Sequence, residues 1–260
     1  MRFRLALTTA VAAGLLAVGG AVGQPQPVRG YLAQTPDPAT ILRPAPKDGD
    51  PRDLEDRRVF EATRKLEGGP RWSMAQADLP YTVQSRISTF SCAVGVRLDP
   101  TTAPKLTAIF SRTIVDLGRM NAAAKGVWSR PRPYRRWGGT ICSPPSPALD
   151  ASFDYPSGHA QIGWMDAQIM AAVVPDRAAE VLARGRAFAE SRVVCGVHTL
   201  SAIDAGMTLA SAQFARSVAE PEFLADLEAA RAEIAALRAA AQTPAPAACS
   251  AEAALNKSLF

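Results

Sequence analysis

The stretch TAPKLTAIFSRTIVDLGRMNAAAK, residues 102–125, has the clearest helical pattern of the chain. Pro104 lies near its start, where proline is tolerated because the first helical turn does not need the N–H that proline lacks. Apolar residues then recur at the three- and four-residue intervals of an amphipathic helix: Leu106, Ile109, Phe110, Ile114, Leu117 and Met120. The pattern predicts a helix from about Thr102 to Ala124.

The flanking sequence continues in the same way. Alanine, which has the best helix propensity, supplies much of the apolar content, and no run of alternating strand residues is present. Further helices are predicted over 53–67, 157–173, 175–191, around 203–214 and over 221–241. The segment 126–156 is crowded with Pro, Gly and Arg, which predicts a long and functional loop. The predicted fold class is all-α, a multi-helix bundle.

The chain of 260 residues divides into four predicted segments. Residues 1–23 have a basic start, an apolar run and small residues at a cleavage position, which indicates a signal peptide, with an uncleaved anchor as the alternative. Residues 24–52 are rich in Pro and predict an extended arm on the surface. Residues 53–241 form the helical domain, and residues 242–260 predict a loosely attached tail.

The bulk charge excludes some functions. The net charge is +5 and becomes +3 without residues 1–23, with no basic patch interleaved with aromatics, so no nucleic-acid partner is expected. The chain has two histidines and no C-x-x-C pair, so neither a metal site nor another cofactor is expected.

The two histidines, His159 and His198, both lie beside glycines and arginines. Phosphoryl transfer without a metal needs cations that neutralise three equatorial oxygens, a nucleophile and an acid for the leaving oxygen. Lys125, Arg132 and Arg192 are the nearby cations. A helix starting after Ser157-Gly158 would add N–H groups that bind anions.

Three blocks resemble the pattern of the type 2 phosphatidic-acid phosphatase (PAP2) superfamily. Lys125 to Arg132-Pro133 matches K-x6-R-P, Pro156 to His159 matches P-S-G-H, and Ser191 to His198 matches S-R-x5-H. The layout is most similar to the bacterial class A non-specific acid phosphatases, which are exported and helical. The resemblance implies the fold shared with the vanadium haloperoxidases.

The resemblance also implies roles. His198 would be the nucleophile that forms a phosphohistidine, and His159 would protonate the leaving group and then activate water. The phosphate-binding residues would be Lys125, Arg132, Ser157, Gly158 and Arg192. Arg130-Pro131 is a competing R-P pair, but it lies two residues too close to Lys125.

The third block departs from the superfamily pattern, which has an aspartate four residues after its histidine. That position is Ala202 in this chain. Asp204 is the nearest acid, but on a regular helix it points away from His198, and it is only a candidate supporting residue. Turnover could therefore be impaired.

Four cysteines in an exported chain favour disulfides. Cys142 and Cys195 each lie close to a motif, and we predict that they pair and hold the long loop against the site. Cys92 and Cys249 would form the second pair. The alternative is that free cysteines pack in the core.

The sequence therefore predicts a periplasmic or secreted acid phosphatase that is metal-independent and acts on small phosphate monoesters. No membrane partner is expected after signal cleavage, and the resemblance suggests a homodimer. One alternative is a non-catalytic phosphate-binding or anion-binding protein of the same fold. The other is a vanadium-dependent haloperoxidase, which shares the anion pocket.

Overall fold

The computed structural model of the protein describes residues 27–240, 243–244 and 246–260, so the signal peptide predicted over 1–23 lies outside the described residues. The described residues form α-helices and one 3-10 turn at Pro175–Arg177, with no β-strand among them, and the predicted all-α class is confirmed. The helices are α1 (Pro38–Ile41), α2 (Pro51–Arg64), α3 (Pro70–Ala77), α4 (Val83–Thr89), α5 (Ser91–Val94), α6 (Pro104–Val127), α7 (Pro133–Trp137), α8 (Pro147–Ala151), α9 (Gly158–Val173), α10 (Ala178–Val194), α11 (Leu200–Ser217), α12 (Pro221–Ala239) and α13 (Pro246–Leu255).

Helix α9 is the centre of the bundle and packs against α6, α10, α11 and α12. Two glycines let α9 and α10 come close together. A Cβ atom on Gly163 would lie 2.2 Å from the ring of Phe188, and one on Gly185 would lie 2.3 Å from the Cβ of Ala167. Since α9 begins with the P-S-G-H block and α10 ends with the S-R block, this close packing brings the two blocks together.

Helix α6 confirms the helix predicted from the opening stretch and extends it to Val127. The predicted apolar face is buried against the core at Leu106, Ile109, Phe110, Leu117 and Met120. Because the helix continues past Ala124, Lys125 lies in its last turn rather than in the loop that follows. That loop was predicted over 126–156 and contains the short helices α7 and α8.

The N-terminal arm is not simply an extended surface segment in its described part, residues 27–52. Tyr31, Leu32 and Leu42 are buried, and the amide of Tyr31 donates to Oδ2 of Asp116 on α6 at 2.8 Å. The segment also contains α1. Its proline content predicted the irregular backbone, but its few apolar residues attach it to the bundle.

The tail, which was predicted to be loosely attached, makes several contacts with the bundle in its described residues. The tail forms α13, whose Cys249 lies at disulfide distance from Cys92. Arg186 donates to the carbonyl of Asn256 at 2.5 Å. The two prolines near the start of the tail predict the break after α12. They do not predict which part of the bundle α13 contacts.

No helix in the described part of the chain is both long enough and apolar enough to span a bilayer.

Candidate active site

The three blocks meet at one cavity of about 700 Å³. Lys125 reaches it from the last turn of α6, Arg132 from the residue before α7, and Arg192 from near the end of α10. The two histidines come from the first turn of α9 and from the residues before α11. The lining of the cavity includes Lys125, Arg132, Gly158, His159, Arg192 and His198.

A tight turn after α10 places His198. Gly196 adopts φ +78°, a conformation that favours glycine, and a Cβ there would lie 2.4 Å from Nη1 of Arg64. The carbonyl of Arg192 accepts from the amide of His198 at 3.2 Å. Thr199 then caps α11, since its side chain accepts from the amide of Ala202. The turn thus presents the His198 ring between two helices.

Hydrogen bonds define the tautomer of His198, whose side chain is almost fully buried. Its Nδ1 lies 2.7 Å from the carbonyl oxygen of Asp154 and 3.2 Å from Oδ1 of the same residue. A backbone carbonyl can only accept, so Nδ1 carries the proton and Nε2 keeps its lone pair. Arg132 Nη1 lies 3.0 Å from that Nε2 and donates to it.

Burial lowers the pKa of His198 well below its usual value, and the nearby charges of Arg132, Lys125 and Arg192 lower it further. The hydrogen bond to Asp154 acts in the opposite direction. Burial and the three cations therefore favour the neutral imidazole, with a lone pair on Nε2.

His159 has the opposite tautomer. Its Nε2 donates to the carbonyl of Leu79 at 2.9 Å, which leaves Nδ1 as the nitrogen with no hydrogen-bond partner in the described protein. Tyr81 packs edge-on against the ring at 4.8 Å between centroids, and Phe188 stacks at 6.2 Å. Burial and the charge of Arg192 lower the pKa of His159 to about 3.

The three cations differ in how they are held. Arg132 donates to the carbonyls of Val197, at 2.7 Å, and Ser152, at 2.9 Å. Lys125 donates from Nζ to the carbonyl of Phe153 at 2.5 Å, and burial and Arg132 lower its pKa to about 8.

Arg192 is the exception, since its side chain is only 4% exposed and its buried Nε and Nη1 have no hydrogen-bond partner among the described residues. Burial and the charge of Arg132 lower its pKa to about 10, so it remains a cation at physiological pH. A buried cation with free donors that faces a cavity is a ready site for an oxyanion.

The start of α9 completes the cavity. Ser157 is its N-cap, and its Oγ accepts from the amide of Ala160 at 3.3 Å. Its own amide donates to the carbonyl of Ala202 on α11 at 2.9 Å. Gly206 allows this contact between α11 and the turn, since a Cβ there would lie 2.4 Å from the Ser157 carbonyl oxygen. Gly158 lines the cavity, whereas the Ser157 side chain is committed to the cap.

Comparison with known proteins identifies the family. Residues 104–218 match the PAP2 superfamily. The chain is similar to an acid phosphatase of Zymomonas mobilis, with 37% identity over 213 residues that cover 80% of this chain and 79% of the relative. The chain belongs to the bacterial non-specific acid phosphatases of the PAP2 superfamily.

Two further relatives agree with this assignment. The non-specific acid phosphatase of Salmonella typhimurium is 31% identical over 195 residues, covering 74% of this chain and 78% of the relative. That of Providencia stuartii is 31% identical over 208 residues, covering 79% of this chain and 84% of the relative.

Within this PAP2-superfamily chain, the departure at Ala202 has a structural counterpart. Asp204 does not support His198: its side chain lines a second cavity, and no hydrogen bond joins the two among the described residues. Asp154, two residues before the P-S-G-H block, contacts Nδ1 instead. The sequence analysis did not single out Asp154. The only feature of the sequence that could have indicated it is its position close to the P-S-G-H block.

Arg130 does not line the main cavity. It is buried and forms ion pairs with Asp53 at 2.7 Å, Asp56 at 2.7 Å and Asp154 at 3.2 Å. The spacing argument that favoured Arg132 agrees with this arrangement, because Arg132 is the arginine of the two that faces the cavity.

Two amides in the cavity wall were also missed. Gln161 is fully buried, and neither end of its amide has a hydrogen-bond partner within the described protein; the same is true of Nδ2 of Asn121. Both side chains line the cavity next to the cations. Gln161 follows His159 in the sequence and Asn121 precedes Lys125. Nothing in the sequence predicts that either lines a cavity, because a polar residue on a helix is ordinarily exposed to solvent.

The cysteines lie at disulfide distance in the pairing proposed from the sequence, Cys142 with Cys195 and Cys92 with Cys249. The amide of Cys142 also donates to the carbonyl of Cys195 at 3.0 Å, which joins the 126–156 segment to the turn before His198. No group of three or more His, Cys, Asp and Glu side chains placed to hold a metal ion occurs among the described residues.

Proposed function

We propose that the protein hydrolyses small phosphate monoesters through a phosphohistidine on His198, without a metal. The observation that carries the proposal is the buried Arg192, which lines the cavity shared by both histidines and has two side-chain nitrogens with no hydrogen-bond partner among the described residues. Lys125 and Arg132 add positive charge at the same place, and Gly158 adds the positive end of the α9 dipole.

In the first step, the lone pair of His198 Nε2 attacks phosphorus, and the bond from phosphorus to the ester oxygen breaks. Arg132 moves from Nε2 to an equatorial oxygen, where Arg192 and Lys125 also bind. His159 gives the proton on Nδ1 to the leaving oxygen, which departs as an alcohol.

In the second step, His159 takes a proton from water, and the water oxygen attacks phosphorus. The P–N bond breaks, inorganic phosphate leaves, and His198 recovers its lone pair. The same nitrogen of His159 acts as an acid in the first step and as a base in the second, because the first step protonates the leaving oxygen and the second deprotonates water.

The low pKa of His159 fits an acidic working range. Burial and the Arg192 cation favour the neutral ring when no anion is bound. A bound phosphate monoester brings negative charge into the cavity and raises this pKa, so the substrate itself promotes the protonated form that the first step needs.

Turnover is retained in this proposal although position 202 is alanine. A binding protein without catalysis would need the cations only, whereas this cavity also contains two histidines of opposite tautomer. Export to the periplasm or the exterior is part of the proposal: residues 1–23 read as a signal peptide, and two cysteine pairs at disulfide distance suit an oxidising compartment.

The test uses the purified mature chain with an aryl phosphate at acidic pH, followed by labelling with a phosphorylated substrate and a denaturing quench at alkaline pH, because the P–N bond of a phosphohistidine is hydrolysed in acid. We expect hydrolysis that EDTA leaves unchanged and vanadate inhibits, with the label on His198. His198→Ala should abolish labelling, whereas His159→Ala should still bind phosphate but turn over slowly.

The alternatives have separate outcomes. Phosphate binding without turnover in the folded wild-type chain would identify an anion-binding protein. Bromide oxidation on addition of vanadate would identify a haloperoxidase. Label on any residue other than His198 would refute the mechanism.

A further inference from the structure

We propose that Asp154 is the positioning residue of His198, and that its buried carboxylate performs from the 126–156 segment the task that the superfamily pattern assigns to an aspartate at position 202. The proposal rests on His198 being the nucleophile. It concerns what holds and polarises that nucleophile rather than which residue attacks.

Asp154 contacts the nucleophile's ring with two of its groups. Its carbonyl oxygen lies 2.7 Å from Nδ1 and its Oδ1 lies 3.2 Å from the same atom. Asp154 is fully buried, so neither group is exchanged for solvent. The carbonyl alone is enough to keep the proton on Nδ1, and the carboxylate adds negative charge on the side opposite Nε2.

The hydrogen-bond donors around the carboxylate favour its ionised form. It accepts hydrogen bonds from the amide of Thr199 at 3.0 Å, from the Thr199 hydroxyl at 2.7 Å and from Arg130 Nη1 at 3.2 Å. Burial raises the pKa of Asp154, and Arg130 and Thr199 oppose that rise. Only donors converge on the two oxygens, which is the environment of a carboxylate rather than of a carboxylic acid.

Further hydrogen-bond partners explain why Arg130 is buried. Asp56 on α2 accepts from Arg130 Nη1 at 2.7 Å and from the amide of Ser201 at 2.7 Å. Arg130 also donates to the hydroxyl of Thr199 at 2.9 Å. Arg130 therefore offsets part of the charge of Asp154, although it is shared with Asp53 and Asp56, and it links Asp154 to Thr199, the N-cap of α11.

The chemical consequence concerns the intermediate. When the Nε2–P bond forms and the ester oxygen leaves, the ring still has its proton on Nδ1 and becomes cationic. The Asp154 carboxylate stabilises that cation, and this stabilisation is greater in the transition state than in the neutral ground state. Asp154 takes up no proton and never touches the phosphate.

The experiment compares Asp154→Asn with the matched control Asp204→Asn, which changes the same residue type in the separate cavity. Because the backbone carbonyl still fixes the tautomer in Asp154→Asn, we expect kcat and the rate of His198 labelling to fall about 10- to 100-fold. Loss of the correct tautomer in a serine protease costs about 10⁴-fold by comparison. Phosphate affinity should not weaken, because the substitution removes negative charge near the cations. Asp204→Asn should behave as wild type.

Equal labelling rates in Asp154→Asn and wild type would overturn the proposal. So would a parallel loss of phosphate affinity and rate, which is the mark of a merely structural role. A measurement on the wild-type protein keeps the test independent of how the variant folds: with two histidines in the chain, ¹⁵N NMR gives the His198 tautomer directly. A proton on Nε2 instead of Nδ1 would refute the arrangement, whereas absence of any His198 label in wild type would refute the proposed function instead.

Discussion

Replacing Cys142 and Cys195 by alanine tests whether the predicted disulfide both stabilises the fold and shapes the site. The bond would close a loop with a sequence separation of 53. The chain-entropy relation gives about 4 kcal/mol for a loop of this size. With a urea dependence of about 3 kcal/mol per molar, the midpoint of unfolding should fall by about 1.3 M.

The site should respond as well, because this pair joins the segment that carries Arg132 and Asp154 to the turn that carries His198. The hydrogen bond from the Cys142 amide to the Cys195 carbonyl would remain, as would the one from Arg132 to the Val197 carbonyl. A shift of about 1 Å in a catalytic group costs up to about 100-fold, which sets the upper limit of the expected fall in kcat/KM.

The assay is urea unfolding followed by circular dichroism, with initial rates on an aryl phosphate under conditions where the variant is folded. The matched control is the Cys92/Cys249 double alanine variant, which opens a loop with a sequence separation of 157 and removes the link between α13 and α5. It should lose about 5 kcal/mol but keep its kcat/KM. An unchanged midpoint in the Cys142/Cys195 variant, measured without reductant, would refute the reasoning.

Three further predictions concern charge and packing. Phosphate affinity, measured by calorimetry, should decline as pH rises through about 8, where Lys125 loses its proton, and Lys125→Met should remove that inflection. Folding stability should rise with pH between about 3 and 6.5, because the unfolded chain binds a proton at His159 that the folded chain does not, and His159→Phe should flatten the slope of urea midpoint against pH. Gly206→Ala should lower the free energy of unfolding by about 1–3 kcal/mol and weaken phosphate binding, because the new Cβ would meet the Ser157 carbonyl oxygen. The control is Gly126→Ala, whose Cβ would have nothing within 4 Å, and it should stabilise α6 by up to about 1 kcal/mol. A Gly206→Ala variant as stable as wild type would contradict the close contact between α11 and the start of α9.

The helices with long apolar periodicity were predictable because their pattern repeats over several turns. Helix α6 is the example: its buried face follows from the spacing of Leu106, Ile109 and Phe110 alone. Short helices such as α7 and α13 were not predicted, because five to ten residues give too little periodicity. The contacts of the tail could not be predicted for a related reason, since they are made by a cysteine and a few side chains whose partners are distant in sequence.

The amino-acid sequence by itself determined the fold class, the family and the set of cations and histidines, because these depend on residue types at short and regular intervals. Only the tertiary structure decided which acid contacts His198, whereas the choice of Arg132 over Arg130 already followed from the spacing of the R-P pairs. Asp154 and His198 are 44 residues apart. Their contact exists because α9 packs closely between α10 and α11. The spacing of residues along the chain does not predict such a contact, because the packing of the helices sets the distance.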